Sequence, residues 1–278
     1  MSKKKIAIQG IRGSFHDIAS HQYFEGEDIA LQCCDTFEQV AKSVIEGDED
    51  LGLMAIENTI AGSLLHNYEI LLASGAKVVG EHKLHIRHSI MCRPDEDWDT
   101  LTEVNSHPVA LAQCRHYLER HPRLKVVEAY DTAGSAERIA RRGLKGHAAI
   151  CHADAARIYG LKVLEDGIED NKHNFTRFLV LAPAQEAERL SPFEQSNKAM
   201  LVFRLSHMEG SLSQVLSIFT FYHINLTKIQ SLPIIGNEWH YLFYVDVTYT
   251  EPMRFLQSVE AVRPLTQELT ILGTYVGK

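Results

Sequence analysis

Four short polar runs carry the side chains that could do chemistry; three follow a stretch that reads as a strand and one leads into such a stretch. Ile56-Glu57-Asn58-Thr59-Ile60-Ala61-Gly62-Ser63 sets an acid, an amide and two hydroxyls at the carboxyl end of Leu51–Ile56, where open α/β sheets place ligands. A helix cap accounts for one polar residue there but not for the run. Ser106-His107-Pro108 follows Glu103–Asn105, and a helix opening near Val109 turns Ser106 and Gln113 towards one cleft. Asn174-Phe175-Thr176-Arg177-Phe178 leads into another apolar strand. Arg177 among Phe175, Phe178 and Leu179 needs an anion beside it, met by a ligand or by a structural salt bridge. Gly10-Ile11-Arg12-Gly13-Ser14 joins a strand to a helix and offers backbone N–H groups, the Ser14 hydroxyl and the Arg12 charge to a carboxylate or phosphate. It is neither G-x-G-x-x-G nor a P-loop, and it also serves as an ordinary strand–helix turn.

Other reactive residues point nowhere. His82, His85 and His88 are spaced three apart, but in a strand His85 faces away from the other two, and no carboxylate or cysteine completes a ligand set. They read as exposed or locally hydrogen-bonded strand histidines, with no metal. The five cysteines form no C-x-x-C pair and fit reduced cytoplasmic thiols; Cys33-Cys34 reads as core packing. No Ser–His–Asp order, G-x-S-x-G elbow or kinase signature is present.

The elements that must position these runs alternate. Strands are expected at Lys5–Gln9, Leu51–Ile56, Ala76–Gly80, Glu103–Asn105, Val126–Ala129, Ala148–Cys151 and Phe175–Leu181. Helices are expected at Phe15–Tyr23, Phe37–Glu46, Val109–His121, Ala133–Arg142 and Ala153–Tyr159, with Asp131 or Thr132 as an N-cap and Gly143 and Gly160 at helix ends. This alternation implies α/β lobes with mostly parallel pairing. Residues 183–197, with two prolines and weak periodicity, read as a linker. The pattern then restarts as strand Ala199–Leu205, helix Leu212–His223, strands Leu226–Leu232 and His240–Thr248, helix Phe255–Val262 and strand Ile271–Val276, a ferredoxin-like β-α-β-β-α-β unit.

Composition sets the limits. The chain has 278 residues, 45% hydrophobic and 23% charged, as in a globular protein of two or three packed units. A net charge of −8 argues against a nucleic-acid footprint but leaves room for an anionic metabolite met by local cations. Met1-Ser2-Lys3-Lys4-Lys5 runs straight into Ile6-Ala7-Ile8 without an apolar h-region, so no secretory signal and a cytoplasmic location are expected; no apolar run is long enough to span a bilayer.

In this order, the polar motifs resemble the prephenate dehydratase family. The match rests on Asn174-Phe175-Thr176-Arg177-Phe178, the family's T-R-F motif, with Ile56-Glu57-Asn58-Thr59 and Gly62-Ser63, Ser106-His107-Pro108 through Gln113-Cys114, Asp131-Thr132-Ala133 and Tyr159-Gly160-Leu161. The C-terminal unit is similar to an ACT domain through Gly210-Ser211-Leu212 and Asn225-Leu226-Thr227-Lys228-Ile229. The chain departs from the family at Arg12, usually proline, at Val109, commonly glutamine, and at Gln230-Ser231-Leu232-Pro233, where many members have E-S-R-P. The pattern begins at Ile6, so the chorismate mutase segment of some relatives is not expected.

The resemblance implies an α/β fold with a two-lobed periplasmic-binding-protein-like catalytic region and a C-terminal ferredoxin-like βαββαβ ACT domain. The catalytic domain would span 1–182, with one lobe about 1–75 plus 170–182 and the other about 76–169; 183–197 would link it to a regulatory domain at 198–278. The reaction would be loss of water and carbon dioxide from prephenate to give phenylpyruvate in phenylalanine biosynthesis, with feedback inhibition by phenylalanine. Aromatisation drives it and no electron sink is needed, so no cofactor is implied. Thr176 would serve the departing hydroxyl; Arg177 would orient that segment or balance charge; Asn58, Ser106 and Gln113 would hold carboxylates and hydroxyl; Phe178 would wall the pocket. Glu57 beside a dianion requires a proton or a partner. Ser14, Thr59, Gly62, Ser63 and His107 would line the substrate. Gly210, Ser211, Leu212, Asn225, Leu226, Thr227, Ser231 and Pro233 would contact phenylalanine between paired ACT modules, in a homodimer or homotetramer. Two other readings are arogenate dehydratase, less favoured because the chain has a bacterial-looking compactness, and a non-enzymatic amino-acid sensor, against which the Thr176-Arg177-Phe178 match counts.

Overall fold

The computed structural model describes residues 3–234, 236 and 240–277; the first residues of the expected catalytic domain, 1 and 2, and the last of the regulatory one, 278, lie outside these. The amino-terminal part runs β1 (Lys4–Gln9), α1 (Phe15–Tyr23), β2 (Ile29–Cys34), α2 (Phe37–Glu46), β3 (Leu51–Asn58), β4 (Gly62–Ser63), α3 (Leu65–Ser74) and β5 (Lys77–His85). Then follow β6 (Ser89–Cys92), β7 (Glu103–Ser106), α4 (Pro108–Gln113), α5 (Arg115–Glu119), β8 (Lys125–Glu128), α6 (Thr132–Arg142), β9 (His147–Cys151), α7 (Ala153–Tyr159), β10 (Lys162–Asp166) and β11 (Phe175–Ala182). The last part holds α8 (Ala187–Leu190), β12 (Lys198–Arg204), α9 (Ser211–Phe221), β13 (Asn225–Pro233), β14 (Tyr241–Thr248), α10 (Pro252–Val262) and β15 (Glu268–Tyr275).

Two mixed sheets and one antiparallel sheet result. The first has the order β2-β1-β3-β11-β5, with β4 on β3; the second is β10-β6-β9-β7-β8; the third is β13-β14-β12-β15, the strand order of a ferredoxin-like βαββαβ unit. The fold is therefore α/β, with two periplasmic-binding-protein-like sheets and an ACT-type module. The expectation of mostly parallel pairing fails in the second sheet. There β7 pairs parallel with β8 and β9, strands joined through helical crossovers, whereas β6 runs antiparallel to β9 and to β10. The strand expected from 76 belongs to the first sheet as β5, and the second sheet starts at Ser89.

By internal packing the chain divides into Met1–Val40, Leu53–Leu64 and Lys83–Phe178 on one side and Ala41–Gly52, Leu65–His82 and Leu179–Lys278 on the other. Local sequence explains most elements of the first unit. Ser14 caps α1, accepting from Asp17 N at 3.3 Å. Asp131 caps α6 through Gly134 N at 2.6 Å, and Gly143 ends it at φ +61°. The helix expected over Val109–His121 breaks at Cys114. The reason is long-range: the Asp170 carboxylate accepts from His116 N, capping α5 anew, while Asp170 N donates to Gln113 O at 2.7 Å.

In the second unit the ACT-type sheet is covered on both faces. Ala199, Leu201 and Phe203 pack with Val215, Phe219 and Phe255 of α9 and α10. The alternate residues of β12 are buried too, and there Lys198 pairs with Glu81 at 2.8 Å to each carboxylate oxygen. Tyr68 of α3 sits edge-on to Tyr244. The expected linker is ordered: Phe193 packs on the same core, and Ser191 Oγ donates to Thr274 O.

Acid lability follows from the first unit's core. His16 is buried edge-on to Phe178 at 4.9 Å, and Ala55 N donates to its Nε2, so the ring is neutral. Burial pulls its pKa from 6.5 to about 3 and pulls His88 and His152 down as well. Below pH 6.5 the unfolded chain binds more protons than the folded one, so stability present above that pH is lost as pH falls towards 3. Denaturant titrations at about pH 7.5 and about pH 5.5 should show a loss of about 1 kcal/mol from His16 alone. His16→Gln should show a smaller loss over the same interval; an unchanged loss would remove His16 from the acid response.

Candidate active site

The end of β3 and the start of β11 meet in a polar cluster inside the first unit. Asn58 Oδ1 accepts the backbone N–H groups of Ile60 at 2.9 Å and Ala61 at 2.8 Å, which fixes the oxygen end of its amide. The turn is completed by β4, where Gly62, at φ +83°, pairs with Asn58 and Ser63 pairs with Glu57. Asn58 Nδ2 therefore faces residues 174–176. It donates to Asn174 Oδ1 at 2.7 Å and Thr176 Oγ1 at 3.0 Å, with Phe175 O at 3.2 Å. Because Thr176 Oγ1 receives this N–H, the hydroxyl's own hydrogen is available to a ligand. Thr59 ties the same segment down: its N–H donates to Phe175 O, its Oγ1 donates to His173 O, and Phe175 N donates to its Oγ1.

The cluster continues towards α4. Asn174, fully buried, donates Nδ2 to Gln113 Oε1 at 3.0 Å, and His88 Nε2 lies 2.9 Å from that same oxygen. Asn58, Asn174, Gln113 and His88 thus form one hydrogen-bonded chain, with Thr176 as a branch. All are neutral donors and acceptors. This is a site that can orient a small polyoxygenated molecule and give a proton to one of its oxygens.

The ionic groups lie apart from this chain. Alternation along β11 turns Thr176 and Phe178 to one face and Arg177 to the other. Arg177 Nη1 pairs with Glu57 Oε1 at 3.1 Å, supplying the partner that each required. Phe178 is buried against His16, beneath the cluster.

Other expected site residues are placed differently. Ser106 does not join the cluster: it is fully buried and its Oγ donates to Ile150 O at 2.5 Å. His107 caps α4, with Nδ1 accepting from Val109 N. The Gly10–Ser14 turn is not an empty anion cradle. Gly13 N donates to Asp17 Oδ2 at 2.6 Å and Ser14 N to Ile11 O, so an acid of α1's own first turn occupies the place of an anion. Gly10 instead lines a cavity of about 300 Å³ with Asp131, Ser135 and Arg138. Asp131 there has its carboxyl pushed up by burial, partly offset by the Gly134 N–H. Among the described residues no group of three or more His, Cys, Asp or Glu is placed to hold a metal ion.

Two members of the chain were missed from sequence. Asn174 was legible, since it precedes Thr176 by two and so shares its face in an extended segment. His88 was not: it lies just past β5, and its link to Gln113 depends on tertiary placement.

Comparison with known proteins gives consistent matches. The prephenate dehydratase family pattern matches residues 6–186. Arogenate dehydratase/prephenate dehydratase 6, chloroplastic, of Arabidopsis thaliana is 36% identical over 293 aligned positions, covering 99% of this chain and 69% of that protein. The prephenate dehydratase of Arthrobacter aurescens, solved in complex with L-Phe, superposes with a TM-score of 0.85 at 25% identity over 98% of this chain and 90% of its own. A structure described as GqqA, a novel type of quorum quenching acylase, superposes with a TM-score of 0.89 at 28% identity over 99% and 98%.

Proposed function

The chain belongs to the prephenate dehydratase family, and we propose that it converts prephenate to phenylpyruvate with loss of water and carbon dioxide, under feedback control by phenylalanine. The observation that carries this reading is the polarity of Thr176, whose Oγ1 accepts from Asn58 and whose proton is thereby directed to the substrate. Prephenate loses a ring hydroxyl as its ring carboxylate leaves as carbon dioxide. The electron pair of the breaking C–C bond enters the ring, the C–O bond breaks, and the departing oxygen takes a proton. Thr176 supplies the hydrogen bond or proton, and aromatisation makes so weak an acid sufficient. Gln113, its oxygen occupied twice, turns its NH₂ to a substrate oxygen. The Glu57–Arg177 pair holds the two strand ends in register. No electron acceptor enters the balance, so the step requires no cofactor.

An acyl-transfer reading, suggested by the acylase likeness, fits the site less well. A nucleophilic threonine needs a base on its proton, whereas Thr176 is bonded by an amide donor. Release of phenylpyruvate from prephenate by the purified chain supports the dehydratase reading; no product from prephenate overturns it. Residues 1–182 would form the catalytic part of a cytoplasmic enzyme, 183–197 a docked connector and 198–278 the sensor.

For the sensor, the open end of α9 and the start of β13 offer the binding groups. Gly210 stands at φ +76° before Ser211 and Leu212, and Asn225, Thr227, Ser231 and Pro233 are exposed along β13, with Leu226 half-buried. Phenylalanine would bind between two such modules, making the protein a dimer or tetramer, and its inhibition is bounded by its preference for one quaternary state. Gln230 and Leu232 give no charge to this contact. Calorimetry should show phenylalanine binding to the intact wild type and inhibition of its turnover. Gly210→Val, a β-branched residue in the left-handed region, should lose both. Absence of binding by the wild type would leave the module with assembly only.

A further inference from the structure

His88 was set aside in the sequence as one of three strand histidines, yet it is the far end of the hydrogen-bonded chain. It lies beyond the end of β5, 2% exposed, and its main chain is held on both sides: His88 N donates to Glu169 Oε2 at 2.8 Å, and Ile168 N donates to His88 O at 2.9 Å. Phe15 meets the ring edge-on at 5.5 Å. The imidazole sits with Nε2 on Gln113 Oε1 at 2.9 Å.

The protonation of that ring can be deduced from the other end. Two backbone N–H groups fix Asn58 Oδ1, so Asn58 Nδ2 faces Asn174 and Asn174 must present Oδ1 to it. Asn174 Nδ2 then faces Gln113, which must present Oε1. An amide oxygen has no proton to give, so His88 Nε2 must carry the hydrogen. Burial disfavours the charged ring. What remains is the neutral tautomer with Nε2–H and a bare Nδ1, and among the described residues Nδ1 is buried with no hydrogen-bond partner. A buried acceptor without a partner destabilises the fold. Stability therefore does not explain a histidine here, and an apolar ring would serve packing better.

We propose that His88 is a positioning residue of the reaction: as the neutral Nε2–H tautomer it completes the two-donor grip on Gln113 Oε1 and so turns both Gln113 amide hydrogens to the substrate. This rests on the reading of the cluster as the dehydratase site. Without His88, Asn174 Nδ2 alone holds the Gln113 oxygen, and the amide turns more readily to set that oxygen against an anionic substrate. The contact it makes is present before and during the reaction, so its loss appears in KM more than in kcat.

The test compares His88→Phe, which keeps the ring shape without the donor, with His88→Gln, which restores an N–H near the same place. His88→Phe should melt at or above the wild-type temperature, raise KM about tenfold and leave kcat within about threefold. His88→Gln should recover most of the KM. In Gln113→Ala, adding His88→Phe should cost nothing further. Wild-type KM in a folded His88→Phe protein, or full additivity with Gln113→Ala, overturns the proposal. Heteronuclear NMR of the imidazole nitrogens in the labelled intact wild type reads the tautomer with no variant and no substrate. A protonated Nε2 and bare Nδ1 at neutral pH support the proposal, and an Nδ1–H or charged ring overturns it. That arm can fail while dehydratase turnover stands, and turnover can fail while the tautomer is as deduced.

Discussion

Thr176→Ala is expected to fold as the wild type does and to lose at least about a hundredfold in kcat, the scale of one general-acid contribution. Folding survives because the side chain is a half-buried branch of the cluster, and the backbone bonds on either side come from Thr59 and the β11 pairing. In the proposed reaction catalysis would not survive, because Thr176 Oγ1 accepts from Asn58 Nδ2 and its own hydrogen would go to the departing oxygen. Thr176→Ser keeps that proton and should retain most of the rate. Near wild-type kcat in a well-folded Thr176→Ala protein would take the threonine out of the mechanism.

Asn58→Asp should cost more, about a thousandfold in kcat/KM. A carboxylate in place of the amide still accepts the Ile60 and Ala61 N–H groups, so the turn holds. On its other side every contact inverts. Asn174 Oδ1 meets an acceptor instead of a donor, and the Thr176 hydroxyl turns its proton to the new carboxylate and away from the substrate. The added charge also repels a dianion, by about 4 kcal/mol for one charge at about 4 Å in a partly buried setting. Circular dichroism and melting should match the wild type while steady-state kinetics collapse. A folded variant within tenfold of wild-type kcat/KM would show that the amide polarity at this position does not matter.

How much of this was written in the sequence depends on the range of the interactions. Elements held by near neighbours were legible. Ser14 and Asp17 start α1 where expected, Gly143 and Gly160 end their helices in the left-handed region, and β12 to β15 with α9 and α10 come in the expected ferredoxin-like order. Elements held from afar were not. Asp170 splits the helix at Cys114, and no local signal announces it. The weakly patterned strands β2 and β10 and the four-residue β6 owe their existence to their sheets. The site divides the same way. Asn58 was expected from the polar run after an apolar strand and Thr176 from the T-R-F resemblance, and the two side chains meet. Ser106 was expected in the cleft for the same reason, yet its hydroxyl is spent on Ile150 O in the neighbouring strand. Periodicity places a residue on an element; it does not say which hydrogen-bond partner wins. The Gly10–Ser14 turn makes the same point, since the acid that fills it is Asp17, three residues beyond the motif.

The most direct measurement is kcat/KM of the intact chain for prephenate and for arogenate side by side, with and without phenylalanine. Phenylpyruvate from prephenate, a higher kcat/KM for prephenate than for arogenate and a fall on adding phenylalanine are the expected results. Turnover of neither substrate by the folded protein would contradict the assignment of the Thr176 cluster as a dehydratase site.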